Sequence, residues 1–287
     1  MRKLLFPIVA VLALALPAAG PAATSAVKIT ATGFSPKALT INQGDTVKWT
    51  NTDKVNHQIV ANNGAFASGI LKPGAAFAFT FTTAAKYGYH DALKPSFTGT
   101  ITVKGPPPQV TAGLSVPIIT YGESTTIAGT VNSGKANETV VITAQPFGSS
   151  PQPIATLMTG AGGAFSYTAA PPSYTSYSAK WKTVTSQTVT VQVRPRLTLA
   201  RTSSRRLFAK VNAATSHAGR FIYLQRHSAF GQWVTVGKLK LGPLSGRYFN
   251  IQHRKGTFVY RVYITTNQAG TGYLESWSNA VKVRFRR

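Results

Sequence analysis

Five histidines and six carboxylates are this 287-residue chain's main stock of side chains for metal ligation or proton transfer, because it has no cysteine. Thiolate ligands, cysteine nucleophiles and disulfides are thereby excluded. His90 adjoins Asp91, but strand alternation puts Tyr87, Tyr89 and Asp91 on one face and His90 on the other, so His90 reads as an edge histidine. Glycoside hydrolysis needs two carboxylates about 5 to 10 Å apart. Asp45, Asp53, Asp91, Glu123, Glu138 and Glu275 are instead scattered in turn-like contexts, and Asp45 and Asp53, which flank one strand, read as turn caps. No serine sits in a nucleophile-elbow pattern. These residues argue against an enzyme.

The second chemistry is cationic. Formal net charge is +25, and residues 24–104 hold eight Lys/Arg against three acids, 105–193 three against two, and 194–287 eighteen against one. In the last stretch cations interleave with aromatics. Arg220, Arg226, Lys238, Lys240, Arg247, Arg254, Lys255 and Arg261 are the candidates for an anion-binding face beside Tyr223, Phe230, Trp233, Tyr248 and Tyr263. A single-sign field of that density attracts polyanions, and salt weakens it. The partners it suggests are anionic wall polymers or acidic polysaccharide, with lipid head groups or extracellular nucleic acid as further polyanions. No recognition helix, zinc finger or RNA-recognition signature accompanies the charge, so sequence-specific nucleic acid binding is not expected.

An ordered set of segments in the first third carries a family resemblance. Phe34-Ser35-Pro36 precedes Leu39-Thr40-Ile41, then come Gly44 to Asp53 around Val47-Lys48-Trp49, Asn56-His57, and Gly69 to Gly74 ahead of Phe77 to Phe81. The run Tyr87-Gly88-Tyr89-His90-Asp91-Ala92-Leu93-Lys94-Pro95-Ser96-Phe97-Thr98-Gly99-Thr100 closes the set. Residues 27–104 thus resemble the cupredoxin (plastocyanin-type, blue-copper) family. The resemblance implies a Greek-key β-sandwich, copper as cofactor and electron transfer as activity, with ligands from an Asn-His element and a Cys-x-x-His-x-x-Met loop. Here the Cys position reads Asp91, the second His position Lys94 and the Met position Phe97. Only His57 remains, and without a thiolate and thioether the donor set of a blue-copper centre is lost. Asp91 and Lys94 are expected to pair across the loop, the ammonium near the place of the metal, with Phe97 as core.

The remaining sequence reads as short strands bounded by Gly, Pro, Asn or Asp, with no helical stripe. Arg2 and Lys3, the apolar run Leu4 to Leu16 and the small residues after it read as a secretory signal peptide over 1–23, too short to span a bilayer. The expected mature protein is therefore secreted, extracellular or periplasmic, with no transmembrane segment. The cupredoxin-like stretch occupies 24–104 and a Pro-rich linker 105–109. A four-strand pattern then occurs twice, at 139–143, 163–167, 177–181 and 188–193, and again at 220–224, 246–249, 258–262 and 280–284. Two Ig-like sandwiches over 110–193 and 194–287 follow, and they resemble the Ig-like repeats of bacterial secreted and surface proteins. The fold expected is all-β. The function expected is non-catalytic binding at the cell envelope, with no cofactor. The alternative is a copper protein with a weak, non-blue Cu(II) site at His57 and Asp91, or an electron-transfer role.

Overall fold

The computed structural model describes residues 22–252 and 255–285. Of the expected signal peptide only Ala22 and Ala23 fall among them, and the rest lies outside the described residues. No helix among the described residues is long and apolar enough to cross a membrane. The chain divides into two compact units between Pro107 and Pro108, inside the proline run.

The first unit has eight strands: β1 (Thr24–Thr30), β2 (Gly33–Ser35), β3 (Ala38–Asn42), β4 (Thr46–Asn51), β5 (Ile59–Ala61), β6 (Ala76–Thr80), β7 (Lys86–Asp91) and β8 (Thr98–Lys104). They form two four-stranded sheets, ordered β2-β1-β4-β6 and β3-β8-β7-β5. The pairs β1/β4 and β3/β8 are parallel, and the remaining pairs are antiparallel. Alternation sends Val47, Trp49 and Asn51 of β4, and Tyr87, Tyr89 and Asp91 of β7, into the interior. The core is aromatic: Trp49, fully buried, has the rings of Phe66, Phe77, Phe81 and Tyr89 at centroid distances of 5.3, 5.8, 6.4 and 5.5 Å. Gly99 of β8 lies opposite Tyr89 of β7, and a Cβ there would fall 2.3 Å from the Tyr89 Cζ. The glycine is what lets that ring lie flat across its neighbour.

The second unit shares one contiguous buried cluster running from Ile119 to Phe285. It contains two arrangements of the same kind, each pairing a larger sheet with a three-stranded one. In the first, Thr139–Pro146, Thr175–Trp181 and Val189–Arg194 lie in the larger sheet and Ala164–Ala169 in the smaller. In the second, Phe221–His227, Gly256–Ile264 and Val281–Phe285 take the larger sheet and Gly246–Asn250 the smaller. The four segments of the twofold sequence pattern thus occupy equivalent places, consistent with Ig-like sandwiches. A four-residue helix, Thr266–Ala269, interrupts the strands, with the Thr265 hydroxyl accepting from the Gln268 N–H at its start.

Candidate functional site

Two loops at one end of the first unit bring the sequence-predicted residues together. Asn51, buried at the end of β4, organises the first: its Nδ2 donates to the carbonyls of Val55 (2.7 Å) and Leu71 (2.8 Å), and its Oδ1 accepts from the Asp53 N–H (2.9 Å). His57 and Leu71 exchange backbone hydrogen bonds, so the imidazole is fixed at its root. The second loop turns tightly after β7, with the Lys94 N–H donating to the Asp91 carbonyl and the Phe97 N–H to the Lys94 carbonyl.

Asp91 ends β7 facing inward and is fully buried, and His57 is 1% exposed. The His57 Nδ1 lies 2.5 Å from Asp91 Oδ2. Asp91 Oδ1 accepts from the N–H groups of Gln58 (2.9 Å) and Leu93 (3.0 Å). Burial pushes the Asp91 carboxyl up, but the bonds from Gln58, His57 and Leu93 together outweigh it, and the group lies below the usual aspartate range. An ionised carboxylate can only accept, so Nδ1 carries the proton in this bond. On the other side of the ring, Nε2 lies 3.3 Å from Asp53 Oδ2. Asp53 is held low first by the Lys54 N–H, with His57 and Lys94 adding to it against burial. His57 therefore bridges two carboxylates, one at each ring nitrogen. Phe97, buried, stacks on the imidazole at 6.0 Å and 18°.

The expected Asp91–Lys94 pair does not form. Lys94 is exposed, its Nζ lies over the Phe97 ring (4.1 Å) and donates to the Ala31 carbonyl (3.4 Å), and its charge acts on Asp53. An imidazole on β5's approach reaches the buried carboxylate first, and the lysine's long stem keeps its ammonium in water. His90 points away from the site to the Asn62 Oδ1 (2.8 Å), on the face that alternation assigns it.

Copper does not fit these residues. The Nδ1 of His57 and both oxygens of Asp91 are spent on each other and on backbone N–H groups. Phe97 has no donor atom, and Lys94 brings a cation. Among the described residues no group of three or more His, Cys, Asp or Glu side chains is placed to hold a metal ion. With His57 1% exposed, neither ring nitrogen is open to a substrate as a general base.

Residues 4–103 match the family model of the cupredoxin-like domain. The N-terminal domain is cupredoxin-like. Among solved structures, it is similar to a novel purple cupredoxin from Nitrosopumilus maritimus, at 32% identity over 28% of this chain and 99% of that one (TM-score 0.27). It is also similar to a mutant of amicyanin in its oxidised form, at 27% identity over 28% of this chain and 81% of that one (TM-score 0.27). A second amicyanin mutant, in its reduced state, is 28% identical over 31% of this chain and 87% of its own (TM-score 0.26). No curated protein matches. Within the cupredoxin-like domain, sequence reasoning missed Asn51 and Asp53 as parts of the site. The spacing Asn51-x-Asp53-x-x-x-His57 holds the signal, legible once His57 is known to be inward.

The cationic candidates divide among several surfaces. Phe221–His227 pairs with Trp233–Lys240 and Gly256–Ile264, so that Tyr223, Gln225, Lys238, Lys240, Arg261 and Tyr263 share the solvent face of one sheet. Arg261 lies over Trp233 (4.3 Å) and donates to Gln225 (2.8 Å). Arg226 is on the other face of its strand, near Phe258. Arg247 belongs to the three-stranded sheet, Lys255 is exposed, and Arg220 spends its guanidinium on the carbonyls of Asn267 and Gln268. Arg254 lies outside the described residues.

Proposed function

We propose that this is an exported, non-catalytic binding protein of the cell envelope, in which the cupredoxin-like domain is a scaffold and the basic C-terminal sandwich binds anionic polymer. The observation that carries the binding role is uncompensated charge. Residues 194–287 hold eighteen Lys/Arg, and among those described only Arg196 has a carboxylate partner, Glu123 at 3.3 Å. An anionic polymer carries condensed counter-ions, and cations left without local carboxylates release them on binding. The scaffold role draws on the buried His57–Asp91 bond, which uses the donor atoms a metal would need. The second reading, copper handling with a non-blue Cu(II) site, rests on the cupredoxin-like domain alone and would require the metal to displace Asp91 from His57.

The test is retention of the full chain on immobilised heparin across a salt series. Binding that weakens steeply with salt is the expected result. Retention indifferent to salt, or none at low salt, contradicts it.

A further inference from the structure

Resting on the anion-binding reading, we infer that a cavity in the second unit is a binding site for a uronic acid residue of an acidic polysaccharide. The cavity, of about 360 Å³, is lined by Thr120, Glu123, Arg194, Arg196, Leu197, Thr198, Ser276, Trp277 and Asn279. Its size lies at the small end of the ~300 to 1,000 Å³ usual for ligand sites, which suits one or two sugar rings rather than a folded partner.

The charges inside are not equivalent. Arg196 is already engaged: its Nε donates to the Tyr121 carbonyl (3.0 Å) and its Nη2 to Glu123 (3.3 Å). Glu123 is occupied on both oxygens, the second accepting from the Thr120 N–H (2.9 Å). Arg194 is left. Its Nε is buried and meets no acceptor among the described residues, while its guanidinium lies over the Trp277 ring at 5.7 Å. That Nε has no open surface of its own, so a ligand carboxylate would be met by the other N–H groups of the same guanidinium, which lines the cavity and pairs with no carboxylate among the described residues. The indole holds that guanidinium against the wall.

The rest of the lining decides the class of anion. Thr120, Thr198 and Ser276 offer hydroxyl groups suited to sugar hydroxyls, while the Asn279 amide is held on both its oxygen and its nitrogen by the Leu199 backbone. A nucleotide would need a free aromatic face for its base, but Trp277 is stacked on Tyr263 (5.1 Å, 22°) and has the guanidiniums of Arg194 and Arg261 over it, each at 5.7 Å. The site therefore favours one carboxylate amid hydroxyls.

The test is calorimetric titration of the full chain with trigalacturonate, with neutral galactotriose and a short single-stranded oligonucleotide as comparisons. Binding of the acidic trisaccharide alone is expected, with Arg194→Gln weakening it by about tenfold or more, as for a hydrogen bond to a charged group. Thr198→Val, at an exposed position, should weaken it severalfold and guards against misfolding of the arginine variant, whose melting is followed in parallel. Lys28→Gln, at an exposed position of β1 in the first unit, should leave it nearly unchanged. Equal binding of galactotriose, trigalacturonate binding that survives both cavity variants, or an oligonucleotide that displaces the sugar would overturn the assignment. If heparin retention persists in Arg194→Gln while trigalacturonate fails to bind wild type, the cavity assignment falls and the general anion-binding reading stands. Failure of both probes on wild type overturns both.

Discussion

At the residue scale, the decisive feature is that Asp91 meets His57 rather than Lys94. Both partners are buried and each is fixed by its own backbone contacts, so the pair behaves as one structural unit. Removing one partner of a buried pair leaves the other uncompensated, so Asp91→Ala is expected to lower unfolding free energy by about 3 to 5 kcal/mol in chemical denaturation. A loss under about 1 kcal/mol, the range of exposed pairs, would show that the bond contributes little. The sign with pH follows from the depressed carboxyls. Asp91 and Asp53 bind protons more weakly folded than unfolded, so their contribution is present above the ordinary aspartate value and is lost as pH falls through their folded values. The inward placement of Asp91 was legible in the alternation Tyr87, Tyr89, Asp91. Its partner was not, because the choice between His57 and Lys94 depends on how Asn51 closes a loop distant in sequence.

At the element scale, the cupredoxin-like sandwich depends on close sheet-to-ring contacts that only particular residues permit. Gly99→Ala would place a methyl 2.3 Å from the Tyr89 ring, which is 1% exposed and has nowhere to go. A destabilisation of at least about 1 to 3 kcal/mol is expected from overpacking, measured by thermal or denaturant melting, and an unchanged midpoint would contradict the packing described. Many strands were legible in sequence, including the four that repeat in the second unit, whereas Thr125–Thr130, Arg196–Arg201 and Arg206–Asn212 were not picked out although each carries a buried stripe. Gln152–Met158 and Trp233–Lys240 were not, since neither buries a residue fully and each pairs along one side only in its sheet. An edge strand without a core face has no apolar signal to read.

At the scale of the whole molecule, two units hold different chemistries. The first carries a cupredoxin-like sandwich in which an imidazole–carboxylate bond, a core phenylalanine and a surface lysine lie together. The second carries most of the chain's excess positive charge, concentrated after residue 194. That concentration was fully legible in composition, whereas the buried Arg194 Nε was not, because it arises from strands that meet only in the fold. Retaining the sandwich while its donor atoms bond to one another is the central claim for the first unit, and Cu(II) addresses it directly. Calorimetric titration of the full chain with Cu(II), against His57→Ala, should give the same weak, non-stoichiometric heat for both proteins. Binding of one equivalent that disappears in His57→Ala would mean that the metal displaces Asp91 from the imidazole, and that the domain still handles copper.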